Sequence, residues 1–341
     1  MEGKRLMSDV LRCPACGSNL AWGDGGPDGR TEASVRCLGC AAVYACRNGM
    51  VNLMVNPSES VQREAEGLRR LEERILAEHG EPDADTIETL PWRYRIARPA
   101  SYWSSPYWVV NTANFDALLD ALQLQRGERV LDLGAGIGWT STRLARAGCE
   151  VLAVDISSTR LTGLRGGEFF FREGPSFDRA VFDMSAALPV KNECIDTVVA
   201  SAALHHSRSL LQTLREIHRV LRRGGRLAVV NEATQGWFRD ASRFGEDVVD
   251  LEGEENVYTY RDWVKRLRRA GFQRWRLLFP RNLEMDFAGA VTFGTSFILV
   301  RKLARACWEL PALRWAVKRF ALIPAHVLFG TQLSFIATKD S

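Results

Sequence analysis

Four cysteines near the start of the chain have the spacing of metal ligands. They form the pattern C-x2-C-x20-C-x2-C and are Cys13, Cys16, Cys37 and Cys40. This spacing is typical of a zinc ribbon, in which each C-x2-C turn directs two thiolates at one ion. Such a turn favours glycine after its second cysteine, and Gly17 is present in the first turn, whereas Ala41 follows the second. Because four thiolates leave no coordination position open, the pattern predicts a structural Zn²⁺ and not a catalytic one.

Two disulfides are the alternative for these cysteines. The N-terminal residues lack the apolar run and small-residue cleavage site of a secretory signal. We therefore expect a cytoplasmic protein, in which thiols stay reduced, and this location favours zinc. Cys46 follows the pattern closely, but we expect it to be a buried small hydrophobic residue and not a fifth ligand.

A glycine-rich segment at residues 129–138, R-V-L-D-L-G-A-G-I-G, joins a short apolar strand to a loop, and a helix is predicted to follow. A second predicted strand, 150–154, ends at Asp155, whose carboxylate can accept hydrogen bonds from both ribose hydroxyls of a nucleoside cofactor. A dinucleotide such as NAD is the alternative. Its G-x-G-x-x-G pattern requires glycine where this chain has Trp139, so the sequence disfavours it.

The spacing here is G-x-G-x-G with Asp132 two residues before the first glycine, and it resembles the first motif of the class I S-adenosylmethionine-dependent methyltransferases. Further segments follow in that family's order. They are a strand that ends at Asp183, a Leu-Pro turn at 188–189, a strand at 194–200, paired histidines, and a Gly-Gly turn at 224–225 before another strand. The resemblance is to the type 11 methyltransferases, close over about residues 127–232 and looser to the end of the chain.

This resemblance implies an α/β fold with a doubly wound, Rossmann-like methyltransferase sheet, and S-adenosyl-L-methionine as cofactor. It also implies that the glycine loop approaches the methionine part of the cofactor, and that Asp183 accepts a hydrogen bond from the adenine amino group with Met184 against the ring. The cofactor-binding residues predicted in this way are Asp132, Gly134, Gly136, Gly138, Asp155, Ile156, Asp183, Met184 and Ser201.

Two adjacent histidines are the candidate catalytic residues. His205 and His206 follow the fourth predicted strand, where the crevice of an α/β sheet opens. If the methyl acceptor is a hydroxyl or a ring nitrogen, a histidine there can act as the general base. The alternative is that one histidine has a structural role while the other lines the acceptor pocket.

Composition divides the chain into a zinc ribbon at 1–55, a helical and acidic linker at 56–90, and a methyltransferase domain at 91–341. The linker has apolar residues at helical intervals between Ser58 and His79. The aromatic segment 91–115 is predicted to be a lid over the cofactor, with ordinary packing on the domain surface as the alternative. A helical C-terminal insertion is predicted at about 285–325.

The positive charge of the chain is concentrated near its C-terminus. The net charge of +4 is small, but residues 261–319 hold fourteen basic and four acidic side chains. Within 287–324, apolar runs with tryptophan alternate with Arg and Lys, a pattern that can contact an anionic membrane or a lipid-linked, phosphate-bearing acceptor. The alternative is a helical cap with a solvated basic face. The longest uncharged stretch, 320–338, is interrupted by Pro, His, Gly and Gln, so no transmembrane segment is predicted.

These patterns together predict an enzyme that methylates a small molecule or a lipid- or glycan-linked acceptor, in the cytoplasm or at a membrane surface. The first alternative is a ribosomal or transfer RNA methyltransferase, because the ribbon resembles a zinc module fused to some ribosomal-RNA guanine methyltransferases. An alternative of another class is a non-catalytic, cofactor-binding partner that stabilises a second enzyme.

Overall fold

A single mixed β-sheet is the framework of the protein. The computed structural model describes residues 6–23, 33–82, 107–172, 174–238, 256–281, 306, 308–330 and 332–340. Their strands are β1 Leu20–Trp22, β2 Ala33–Cys37, β3 Val43–Arg47, β4 Met50–Asn52, β5 Arg129–Leu133, β6 Glu150–Asp155, β7 Asp178–Val181, β8 Ile195–Ser201, β9 Leu221–Gln235, β10 Tyr258–Thr259, β11 Arg274–Leu277 and β12 Gln332–Thr338.

The helices within the same residues pack around this sheet. They are α1 Leu6–Val10, α2 Glu59–His79, α3 Tyr107–Leu122, α4 Trp139–Arg146, α5 Gly167–Phe170, α6 Leu210–Val220, α7 Tyr260–Ala270, α8 Pro311–Ala316 and α9 Leu322–Phe329, with a π-helical turn, Val317–Ala321, between the last two. No helix in the described part of the chain is both long enough and apolar enough to cross a bilayer.

The strand order is β1-β2-β3-β4-β7-β6-β5-β8-β9-β12-β11, and β10 pairs with β9. Strands β4, β7, β6, β5, β8 and β9 are parallel to one another, whereas β1, β2 and β3 at one edge and β12 and β11 at the other are antiparallel additions. Neighbouring residues of one strand join cores on opposite faces: Leu131 packs with α6 and α7, and Val130 packs with α3 and α4. Burial on both faces explains the nearly continuous apolar runs in the central strands. The predicted doubly wound α/β sheet is therefore confirmed.

The topology indicates which edge of the sheet can bind a ligand. After the ribbon strands β1–β4, the chain enters the centre of the sheet at β5, continues outward through β6 and β7, and then returns to the other side of β5 with β8. The strand order thus reverses between β5 and β8, and ligands of open α/β sheets bind beyond the carboxyl ends of the strands at this point. The glycine loop, Asp155 and the paired histidines all follow these carboxyl ends.

The N-terminal ribbon is part of the same sheet. Strand β4 pairs in parallel with β7, so that Val51 lies opposite Ala180. On the same side, the backbone N–H of Met7 in α1 donates to the carboxylate of Asp178, and the N–H of Arg12 donates to the carbonyl of Pro189. The ribbon and the central sheet therefore share hydrogen bonds as well as an apolar core.

The long helix α2 connects the ribbon to the rest of the chain. Ser58 caps its start by accepting a hydrogen bond from the N–H of Val61, and Gly80, with a φ of 72°, ends it. Its buried side chains, Leu71 and Ile75, join the core on the α3 and α4 face. Of the predicted aromatic lid at 91–115, residues 91–106 lie outside the described residues, and α3 begins at Tyr107. Of the predicted insertion, 285–305 and 307 lie outside as well.

Candidate functional site

The four cysteines of the ribbon come together at one point. Their sulfur atoms all lie within 4.8 Å of one another, with 3.7 Å between Cys13 and Cys40 and 3.4 Å between Cys16 and Cys37. Tetrahedral zinc, with Zn–S bonds of about 2.3 Å, needs sulfur atoms roughly 3.8 Å apart. The separations are too long for disulfide bonds, and these cysteines are free thiols. The donor set therefore fits Zn²⁺.

The turns around these cysteines have the backbone that a thiolate ligand needs. The N–H groups of Gly39 and Cys40 donate to the sulfur of Cys37. The residue after each C-x2-C pair has a positive φ, 77° at Gly17 and 60° at Ala41. The second turn thus has the same geometry as the first without the glycine that favours it. Cys46 is buried and lies outside the cluster.

The glycine loop after β5 is shaped by close contacts on one side and open space on the other. Gly134, with a φ of 69°, is so near Ala203 that a Cβ atom would lie 2.4 Å from the Cβ of that residue. Gly138 is similarly close to the ring of Phe177. At Gly136, by contrast, a Cβ would meet no atom within 4 Å, so this part of the loop faces open space beside Asp155. Such an open glycine face fits a cofactor that approaches the backbone.

Asp132 lies beneath the loop and holds the start of α4. Its Oδ2 accepts hydrogen bonds of 2.6 Å from the hydroxyls of both Thr140 and Ser141. Its Oδ1 is buried and has no hydrogen-bond partner within the described residues. Burial raises the pKa of this carboxyl to about 6, although the two hydroxyls act in the opposite direction.

Asp155 ends β6 next to the open face of the loop. Its Oδ2 accepts a hydrogen bond of 2.9 Å from the N–H of Gly136, and its Oδ1 accepts one of the same length from Ser157. Burial raises the pKa of Asp155 to about 6, against the effect of these donors. Ile156, the next residue, is partly buried. The two hydrogen bonds thus fix the carboxylate beside the loop.

Asp183 lies beyond the end of the next strand, β7. Its Oδ1 accepts from the N–H of Ser185, and its Oδ2 is 2.9 Å from a guanidinium nitrogen of Arg208. Met184 contacts the loop, since its Cε would be 3.4 Å from a Cβ on Gly134. The predicted adenine-binding pair therefore lies against the glycine loop. Arg208 was not predicted, because it is 25 residues away in sequence.

A small cavity connects this part of the site to the ribbon. It has a volume of about 170 Å³ and lies beside Asp183 and Arg208. The opposite wall is formed by Pro14, which stands between two of the clustered cysteines, and by the segment 53–57 that follows β4. The ribbon thus borders the predicted adenine position directly.

His205 is held by a buried carboxylate that the sequence did not reveal. Its Nδ1 lies 3.0 Å from Oε2 of Glu232, whose side chain is fully buried in β9. The other oxygen, Oε1, accepts hydrogen bonds from the N–H groups of Ala203 and Leu204. Glu232 therefore fixes both the imidazole ring and the turn that carries it. No local signal could have identified Glu232, because 27 residues separate it from His205.

His206 has a different environment. Its ring is tilted against that of His205, with 4.1 Å between centroids, and its Nδ1 lies 3.1 Å from a carboxylate oxygen of Glu64 in α2. Burial and the neighbouring histidine lower the pKa of His206 to about 3. A histidine with this pKa stays neutral at physiological pH and is a poor proton acceptor.

Helix α2 runs across the site from the histidines to the ribose side. Beyond Glu64, the carbonyl of Leu68 accepts a hydrogen bond from Thr162, and the carboxylate of Glu72 accepts from the N–H of Arg160. These contacts attach the helix to the loop after Asp155. The predicted linker helix is therefore a cover over the crevice.

Ser201, at the end of β8, belongs to a buried amide cluster. Its hydroxyl accepts a hydrogen bond from Asn231, whose side chain also accepts one of 2.8 Å from Asn114. Asn114 in turn donates to Gln332 at the start of β12. Asn111 and Asn114 come from α3. This cluster ties α3, β8, β9 and β12 together at the carboxyl end of the sheet, and sequence reasoning found only Ser201.

Comparison with known proteins gives a consistent result. A family model described as a methyltransferase domain matches residues 131–229. The demethylmenaquinone methyltransferase of Beutenbergia cavernae is 36% identical over 183 residues, which are 49% of this chain and 73% of that protein. The 27-O-demethylrifamycin SV methyltransferase of Amycolatopsis mediterranei is 31% identical over 50% of this chain and 65% of its own length. The chain spans about half to three quarters of the length of the curated relatives that it matches.

A solved structure has the same overall fold. Phosphoethanolamine N-methyltransferase 2 of Haemonchus contortus, in complex with phosphomonomethylethanolamine and S-adenosylhomocysteine, superposes with a TM-score of 0.50. The match covers 81% of this chain and 60% of that one at 18% identity. At this identity the likeness concerns the fold alone.

Proposed function

Because this chain belongs to the class I S-adenosylmethionine-dependent methyltransferases, we propose that it transfers the methyl group of S-adenosylmethionine to a hydroxyl group of a small-molecule or lipid-linked acceptor. When bound, the cofactor supplies an electrophilic methyl carbon: a C–O bond forms as the C–S bond breaks, and S-adenosylhomocysteine leaves. The protein must hold the acceptor in line and accept the hydroxyl proton.

The hydrogen-bonded pair of His205 and Glu232 is the observation that carries this proposal. A carboxylate at Nδ1 holds the proton on that nitrogen and leaves Nε2 as the proton-accepting atom of the neutral ring. As the acceptor hydroxyl gives up its proton, the buried carboxylate of Glu232 stabilises the charge that develops on His205. A nitrogen nucleophile that has a free lone pair and no proton to lose would need no such pair.

The residues around the loop support S-adenosylmethionine as the cofactor. We assign Asp155, bonded to the N–H of Gly136, to the ribose, and Asp183, next to Met184 at the loop, to the adenine amino group. The open backbone at Gly136 leaves room for the methionine part.

We assign the zinc to a structural role, because the four sulfur atoms account for all four positions of a tetrahedral ion.

The relatives support the proposed class of acceptor. The names of the two curated relatives specify demethylmenaquinone and 27-O-demethylrifamycin SV, and neither is a nucleic acid or a protein. The second name specifies an oxygen atom, as the pair of His205 and Glu232 would require.

The test is a transfer assay with methyl-labelled S-adenosylmethionine and cell extract divided into small-molecule, lipid and RNA fractions. We expect label in one of the first two fractions, in a product identified by mass spectrometry and NMR as a methyl ether. Label confined to RNA would contradict the proposal. Bound cofactor without transfer to any fraction would instead favour a non-catalytic partner.

The role of His205 has its own test. The substitution His205→Asn should lower kcat by about 100-fold or more, because it removes the general base, while the Kd for S-adenosylhomocysteine stays within about twofold. Glu232→Gln should lower kcat less and shift its pH profile. The matched control is His79→Asn, an exposed histidine at the end of α2. An unchanged kcat in His205→Asn would rule out the proposed base.

A further inference from the structure

Large apolar side chains are exposed on the C-terminal helices. Within the described residues, α8 has no buried side chain, and Trp315 and Phe320 are 63% and 64% exposed. Leu310, Leu313 and Ile323 are exposed as well. A helical cap would turn such residues inward, so the structure disfavours that alternative for this segment. Exposed patches of this kind are typical of interaction surfaces.

Two more exposed aromatic residues follow β9 and are attached to α9. Trp237 and Phe238 are exposed, and their N–H groups donate to the carbonyls of Val327 and Leu328 in α9. The guanidinium of Arg261 in α7 lies 5.7 Å from the centre of the Trp237 ring. We call this surface the C-terminal platform and define it by Trp237, Phe238, Arg261, Leu310, Leu313, Arg314, Trp315, Lys318, Arg319, Phe320 and Ile323.

The outward direction of these side chains follows from anchored neighbours. Trp308 is buried and stacks on Phe279, and the ammonium group of Lys318 lies 5.6 Å and 5.8 Å from the two rings. In α9, His326 is fully buried and stacks on Tyr260 of α7. The helices are thus fixed to the body of the protein on their inner side, while the aromatic and aliphatic side chains of the platform face outward.

The platform is also strongly basic. Of its eleven residues, Arg261, Arg314, Lys318 and Arg319 are basic, and none is acidic. Exposed tryptophan and phenylalanine bordered by cations are the composition of surfaces that lie in the headgroup region of an anionic bilayer.

The platform lies at the same end of the sheet as the candidate site. Trp237 comes five residues after Glu232, the partner of His205. The two residues are therefore at most about 17 Å apart. A surface held against the platform is therefore close to the acceptor side of the site.

We propose that the C-terminal platform docks on the surface of an anionic lipid bilayer. The aliphatic members, Leu310, Leu313 and Ile323, favour lipid over RNA, because they cannot stack on bases but can enter the boundary of the acyl chains. If the chain has the proposed function, on which this step rests, docking implies that the acceptor is a membrane-borne hydroxyl compound. This acceptor would reach His205 from the bilayer.

The experiment is vesicle co-sedimentation of the full chain. One set of vesicles contains phosphatidylcholine alone, and the other contains one part phosphatidylglycerol to two parts phosphatidylcholine. We expect binding to the anionic vesicles only. The variant Trp315→Ala/Phe320→Ala should weaken it about tenfold or more, since two large apolar side chains no longer enter the interface. Arg314→Ala/Arg319→Ala should weaken it about 30-fold at low salt.

Matched controls lie on the opposite part of the molecule. Leu38→Ala removes an exposed apolar side chain of the ribbon, and Arg36→Ala/Arg47→Ala removes two exposed charges of the same ribbon; both should bind vesicles as the parent does. Calorimetry with S-adenosylhomocysteine shows that each variant is folded, and it keeps failure of docking separate from failure of the proposed function.

Several results would overturn the proposal. These are no binding of the parent chain to anionic vesicles, equal loss in the control variants, or a platform that binds single-stranded RNA in preference to vesicles. A concentration-dependent dimer that the Trp315→Ala/Phe320→Ala variant abolishes would assign the platform to a second copy of the chain instead.

Discussion

Asp155 links cofactor binding to pH. Burial holds the pKa of its carboxyl at about 6, and only the ionised form accepts hydrogen bonds from both ribose hydroxyls. The carboxyl is ionised above this pKa and takes up a proton as the pH falls through it. The affinity for S-adenosylhomocysteine should therefore be constant near neutral pH and fall below about pH 6, by up to tenfold per pH unit. Calorimetry across that range measures it.

The control for this prediction is Asp155→Asn, which should bind weakly and with little pH dependence. Asp132 also has a pKa of about 6, and the charge of Asp155 contributes to it. If the Asn variant keeps the pH dependence of the parent, Asp132 and not Asp155 is the titrating group.

Gly134 is required by a close contact as well as by its backbone angle. The substitution Gly134→Ala would place a Cβ atom 2.4 Å from that of Ala203, two residues before His205. We expect a loss of about 1–3 kcal/mol in the free energy of unfolding and weaker cofactor binding, because the loop or the histidine turn must move. Gly127→Ala is the matched control, since Gly127 has a similar positive φ of 79° but open space around it. Denaturant titration and calorimetry of both variants separate the effect of the contact with Ala203 from the strain of a positive φ. Equal losses of stability and of cofactor affinity in the two variants would contradict this explanation.

The ribbon is predicted to support cofactor binding through the cavity that it shares with Asp183. Pro14 and the segment 53–57 form the ribbon side of this cavity, and their positions depend on the turns that the metal fixes. Loss of zinc through Cys37→Ser should therefore weaken S-adenosylhomocysteine binding about tenfold or more. Cys46→Ala changes a buried cysteine outside the cluster. This variant should keep one zinc ion per chain and the affinity of the parent for S-adenosylhomocysteine. A zinc-free Cys37→Ser protein with unchanged affinity would show that the cavity wall does not depend on the metal.

The elements that the sequence predicted correctly are those with local signals. The cysteine spacing, the glycine loop with Asp155, and the apolar runs of the central strands each lie within one short segment, and all appear in the structure where expected. Glu232, Arg208 and Glu64 could not be predicted. Their roles arise from hydrogen bonds or charge contacts to residues far away in sequence. The residues next to a Glu or Arg in the sequence do not indicate whether such a distant partner exists.

The joining of the ribbon to the central sheet was not predicted either. Strand β4 has only three residues, Met-Val-Asn, which is too short for a period-two pattern to be recognised. Its partner β7 is buried along its whole length, so either edge of that strand was a candidate for pairing. Only the folded arrangement shows that the ribbon strand occupies this edge.

A continuous sheet and core imply that the described parts of the chain unfold together. One apolar core includes Val35 and Tyr44 of the ribbon as well as Val154, Phe182 and Val190 of the methyltransferase part. The ladder between β4 and β7 connects the same two regions through the backbone. If the ribbon unfolded alone, the rest of the protein would be left with an exposed apolar surface and with an unpaired hydrogen-bonding edge on β7.

We therefore predict one thermal transition for the zinc-bound protein, with a calorimetric enthalpy equal to the van't Hoff enthalpy. A zinc chelator should lower the midpoint of this single transition by several degrees, because each kcal/mol of metal stabilisation shifts the midpoint of a chain of this length by about 1–2 °C. The control is Leu38→Ala, an exposed ribbon substitution that touches neither the metal nor the shared core and should leave the midpoint unchanged. If the chelator instead produces a separate transition at low temperature and leaves the main one in place, the ribbon is an independent folding unit, and the shared core contributes too little free energy to couple it to the sheet.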